Sequence, residues 1–210
     1  MKKGINHLKQ YLTVNKSYFV FLSILLIIGI FAGSIFFLTL NEGDTSLVSE
    51  YLSDYIESVS SNSINFKVSL FNSILSNTLL SVVIFLLGFS VIGLPITLLL
   101  FFYKSFIIGF SISSIILNYK LKGLILSIFY VFPHQVCSVI LYMILVMSSL
   151  IISLNLMKAI LNKKEISFKD ITSIYTTKYL IILFCLCLFS IYESIILPKV
   201  VFLLFKIFML

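Results

Sequence analysis

Charge is what this sequence has least of. Only 11% of its residues are charged, 60% are hydrophobic, and the mean hydropathy is +1.15. A soluble domain carries roughly 25% charged residues. A soluble core of 210 residues could not hide this much apolar surface, so lipid is the solvent. Long polar stretches are missing too, which leaves no material for a second domain. Arginine is absent, and the net charge of +7 is carried by lysine alone. The lysines stand in short segments beside hydrophobic runs, where they orient a membrane protein. The basic balance therefore does not point to nucleic acid.

Catalytic equipment is equally scarce. The chain has no H-E-x-x-H, no G-x-S-x-G, no P-loop and no clustered carboxylates. Its two histidines, His7 and His134, cannot build a metal cage. Cys185 and Cys187 point to different sides of a helix. With Cys137 they read as small buried hydrophobes. The expectation is a protein that is not an enzyme and carries neither cofactor nor metal.

What is present is a series of long apolar runs. A crossing needs ~20 apolar residues. Candidates are Tyr18–Leu40, Ile74–Ile92, Leu94–Leu117, a long stretch Gly123–Met157, and Tyr179–Leu197. The first exceeds the ~7–15 residues of a signal h-region and lacks a small-residue cleavage site, so it reads as an uncleaved span. The fold class is all-α: a polytopic membrane bundle of about five crossings. Residues 1–17 form a basic N-terminus, 18–197 the bundle with an intervening loop 41–71, and 198–210 a short apolar tail suited to the interface.

Lysine placement sets the orientation. The N-terminal segment holds Lys2, Lys3, Lys9 and Lys16 and no acid, and Lys158–Lys178 is also lysine-rich. Loop 41–71 holds Glu42, Asp44, Glu50, Asp54 and Glu57 against Lys67. Five spans with the N-terminus cytoplasmic put that loop and the C-terminus outside. Lys120, Lys122 and Lys199 count against this order.

The acidic loop carries Leu47, Val48, Tyr51, Leu52, Tyr55, Ile56 and Val59 at helical spacing, with Glu50, Asp54 and Glu57 opposite. It predicts an amphipathic helix, capped by Asp44 or Thr45. Such a helix either rests on its own bundle or offers Glu50, Tyr51, Asp54, Tyr55 and Glu57 to a basic partner. On the cytoplasmic side Ser167 and Asp170 predict a helix start, read as an interfacial connector.

Polar residues inside the oil are few. Pro133 predicts that the fourth crossing is broken, with His134 and Gln135 bonding the backbone groups it frees. Lys104 lies mid-span, and Glu193 is the one acid in a predicted span. Their depths differ by about 6 Å at ~1.5 Å per residue. The expectation is a buried Lys104–Glu193 pair.

Three features together carry a resemblance: "GFSVIGLPITLLLFFYKSFIIGF" from Gly88 to Phe110, "VFPHQV" from Val131 to Val136, and a basic start followed by an acidic loop and five spans. The chain resembles the stage II sporulation protein M family over most of its length. The resemblance implies a polytopic, non-hydrolytic anchor in the bacterial cell membrane, placed at the sporulation septum during engulfment. It implies partners as well: stage II sporulation proteins P and D, which degrade peptidoglycan. Relatives follow Pro-His with glycine and then glutamate, whereas Gln135 and Ser138 stand at those places here. The rival expectation is a permease-like transporter subunit, since discontinuous helices and midplane polar groups mark transporter sites. Membrane lipid surrounds the chain in either case, and homo-oligomerisation is left open.

Overall fold

The computed structural model describes residues 16–60, 66–162 and 168–208, with side chains described for all of these except 56, 60, 66, 129–134, 162, 168–171 and 204–208. The basic N-terminus up to Asn15, the connector start at Ser167 and the side chain of His134 therefore lie outside the described residues. The elements are α1 (Lys16–Leu38), α2 (Glu42–Ser60), α3 (Phe66–Leu87), α4 (Gly93–Asn162) and α5 (Phe168–Phe208), and among the described residues there is no strand. Five segments are long and apolar enough to cross a bilayer: Lys16–Leu38, Lys67–Leu87, Gly93–Ile128, Gln135–Leu161 and Thr172–Leu203. The chain is an all-α bundle of five membrane helices.

α4 is two helices meeting at Lys120, whose φ of 51° and ψ of −128° are non-helical. The Lys104 ammonium lies 5.4 Å from the centre of the Tyr142 ring. A straight helix would hold these residues roughly 57 Å apart at ~1.5 Å per residue. The arms 93–119 and 121–162 are thus folded back on each other. Gly123 allows the tight corner, since a Cβ there would strike the Ile115 carbonyl. A positive φ disfavours any residue but glycine, and Lys120 is exposed, so its side chain contributes little packing. Lys120→Gly is expected to relieve the corner and stabilise the protein by about 1 kcal/mol after the entropic cost of glycine. A lowered melting temperature in detergent would contradict this.

Contacts fix the helix directions. Gly33 and Phe37 lie against Phe106 and Phe110, so α1 runs parallel to the first arm of α4. Tyr142, Ser149 and Ser153 bond the backbone oxygens of Asn77, Ile84 and Ser90, so the second arm runs parallel to α3. Asn77 bonds Ser190 while Phe85 stacks on Tyr175, so α5 is antiparallel to α3. The five crossings alternate.

These contacts also set a common level through Gly29, Asn77, Lys104, Tyr142 and Ser190. About ten residues to either side, at ~1.5 Å each, fill a hydrocarbon core of ~30 Å. Beyond that slab, at one end, stand the Lys120 corner, the last turns of α5 and the whole of α2. The three form a cap, with α2 packed on α4 and α5.

Three expectations change here. Pro133 does not divide the fourth crossing: the second arm is helical through it, and the non-helical residue described in α4 is Lys120. By residue count Pro133 is level with about Lys67, at the slab edge, where a missing helical hydrogen bond costs less than it does in mid-bilayer. The apolar tail is not separate either, because α5 continues through Pro198 to Phe208. α3 also starts earlier than the run Ile74–Ile92 implied and ends at Leu87, followed by a turn in which Ser90 N–H donates to Leu87 O at 3.0 Å.

Candidate functional site: a helical cap and a buried polar cluster

α2 begins when the Asn41 carbonyl accepts from the Thr45 N–H at 2.9 Å. The Thr45 hydroxyl donates to the same oxygen at 2.9 Å. Asn41 therefore precedes the helix, and the expected caps Asp44 and Thr45 lie within its first turn. There Glu42 and Asp44 complement the helix dipole.

Three faces of α2 have different chemistry. Leu52, Tyr55 and the buried Val59 pack against the core. Glu42, Thr45, Ser46 and Ser49, with Leu40 and Asn118, line a shallow groove of about 340 Å³ against the α4 corner. Glu50, Asp54 and Glu57 are exposed, together with Leu47 at 63% and Tyr51 at 75%. The helix thus rests on its own bundle and presents an acidic face with two bare hydrophobic side chains. Tyr55, expected on the partner-facing side, turns inward.

At the mid level the charged residues read from the sequence come together with polar residues that were not singled out. Lys104 is half-buried over the Tyr142 ring. The Glu193 carboxylate is within electrostatic reach of both Lys104 and Tyr142. The Tyr142 hydroxyl, on a residue 1% exposed, donates to Asn77 O at 3.0 Å. Asn77 Nδ2 donates to Ser190 Oγ at 3.0 Å. Ser190 donates onward to Leu186 O at 3.1 Å, and Ser194 donates to Ser190 O at 3.0 Å. One polar cluster therefore joins α3, both arms of α4, and α5. Asn77 was visible as the lone carboxamide in its apolar run. Tyr142 and Ser190 gave no signal, because tyrosine and serine are common in spans. Gln135 does not join: its Oε1 is buried without a hydrogen-bond partner.

A third arrangement fixes α1. Gly29, Gly33 and Gly109 lie at its crossing with the first arm of α4. Cβ atoms at Gly33 and Gly109 would strike the carbonyls of Phe106 and Ile30. The Ser34 hydroxyl donates to Gly109 O at 3.2 Å. Phe36 meets Phe106 at 5.5 Å and Phe37 meets Phe110 at 5.2 Å. Gly109, near the end of the stretch Gly88 to Phe110, is thus where two backbones approach closely.

Among the described residues no group of three His, Cys, Asp or Glu side chains could hold a metal ion. No curated protein and no solved structure matches the chain. The family model for stage II sporulation protein M matches residues 22–210, which takes in the first crossing from Leu22 onward, the other four crossings and the α2 cap. The chain belongs to the stage II sporulation protein M family.

Proposed function

We propose that this sporulation-related, multi-pass membrane protein is a scaffold that recruits peptidoglycan-degrading enzymes, stage II sporulation proteins P and D, to the septum during engulfment. The bundle anchors and orients; the α2 cap does the recruiting. The exposed acidic face of α2, with Leu47 and Tyr51 bare beside it, carries this reading. Lysine placement supports a cytoplasmic N-terminus and hence α2 outside the membrane, on the side of the wall. An acidic helix face suits a basic protein partner better than anionic lipid. The rival permease reading draws on the mid-level polar groups, yet Asn77, Tyr142 and Ser190 are bonded to one another.

The test is co-purification of both partners with the solubilised full chain. Glu50→Lys, Asp54→Lys and Glu57→Lys together are expected to cut recovery at least tenfold, while leaving the bundle folded because all three side chains are exposed. Undiminished recovery would remove α2 from the account.

A further inference from the structure

The lipid-facing side of α3 carries a group that does not belong in oil. Asn72 is exposed, and among the described residues its side chain makes no hydrogen bond. Among the described residues it is the only exposed carboxamide within a candidate span. It lies five residues from Asn77, or ~7.5 Å along the helix from the mid level, so well inside a core that extends ~15 Å each way. A carboxamide in hydrocarbon has no water to bond, and leaving it unpaired is costly. Below it the same face continues through Ser76, Leu79, Val83 and Leu86, all exposed. These positions follow spacings of four, three, four and three, the repeat of a left-handed helix–helix seam.

We propose that this face of α3 is the seam of a homodimer, in which Asn72 pairs with Asn72 of a second copy. Two copies inserted the same way are related by a two-fold axis along the membrane normal. That axis brings each α3 residue level with itself. A carboxamide is self-complementary, with donors and an acceptor on one group, so two of them satisfy each other. The exposed faces of α1 and α5 offer no comparable group: around Ile24, Phe31, Phe184 and Leu188 they are apolar. The inference is independent of the recruiting role of α2, and a dimer would present two α2 caps at once.

Differently tagged full-length copies in one membrane test this. Wild-type copies are expected to co-purify, and Asn72→Leu is expected to weaken association about fivefold to tenfold, the size of two interhelical hydrogen bonds in a bilayer. With Cys137, Cys185 and Cys187 replaced by serine, Leu79→Cys is expected to cross-link into a dimer, while Ile24→Cys on the lipid face of α1 is not. Failure of wild-type copies to co-purify would overturn the proposal. So would unchanged association of Asn72→Leu, or cross-linking of Leu79→Cys to a product of another mass, which would assign the seam to a different membrane helix.

Discussion

Gly33→Val is expected to pull α1 away from the bundle. The Cβ it introduces would land on the Phe106 carbonyl, a main-chain atom in the middle of a helix. Overpacking costs ~1–3 kcal/mol where side chains can shift aside. A helix backbone yields less, so a loss at the top of that range, about 3 kcal/mol, is expected here. Gly109→Val meets the Ile30 carbonyl from the other helix and should cost as much. The two together should cost less than their sum, because either one alone opens the same crossing. Gly43→Ala is the control: its Cβ meets nothing within 4 Å, and alanine in a helix gains about 0.5–1 kcal/mol over glycine. The midpoint of thermal unfolding in detergent reads all four variants. If Gly33→Val melts with the wild type, the two backbones are not in contact.

The consequence reaches the cap. α1 packs chiefly on α4, and α2 follows directly on α1. A loosened α1 removes one of the two tethers that hold α2 over the α4 corner. On the recruiting role proposed for α2, partner recovery should then fall with no change on the acidic face itself.

How much of this the sequence disclosed depends on which physical effect decided each element. Apolar run length alone predicts five crossings, because in lipid every backbone group must bond within its own helix. The amphipathic repeat from Leu47 to Val59 predicts α2, and its acids face outward as the repeat requires. Residues whose role is set by tertiary distance were not legible. Gly33 and Gly109 are ordinary small residues until two helices meet at them. Tyr142 becomes a hinge of the polar cluster only because the α4 corner brings the second arm back beside Lys104. Pro133 misled because a proline is read along the chain, whereas its cost depends on depth. At the edge of the slab a lost hydrogen bond costs less than in mid-bilayer, and the helix continues.

The Lys104–Glu193 relation, by contrast, was proposed from scarcity: two opposite charges and no other charge within the predicted spans. The geometry brings them to one cluster but leaves their energetic coupling to be measured. Glu193→Gln leaves the Lys104 ammonium with the Tyr142 ring face alone, worth ~0.5–2 kcal/mol. Lys104→Met takes the Lys104 charge away from the carboxylate. Removing one member of a buried ion pair costs roughly 3–5 kcal/mol, and for these two half-buried side chains the lower end, about 3 kcal/mol, is expected. Each single variant is therefore expected to unfold readily in detergent and to accumulate poorly in membranes. Replacing both charges by apolar side chains of similar volume removes the problem instead of halving it. Lys104→Met combined with Glu193→Leu should accordingly recover most of the loss, with a coupling of about 2 kcal/mol or more in the double-mutant cycle. If the two losses simply add, each residue is satisfied separately, and the charges are not what holds α5 against the α4 hairpin. If the double variant recovers stability but loses the partner recovery proposed for α2, the cluster sets the register of the α2 cap as well as of the bundle.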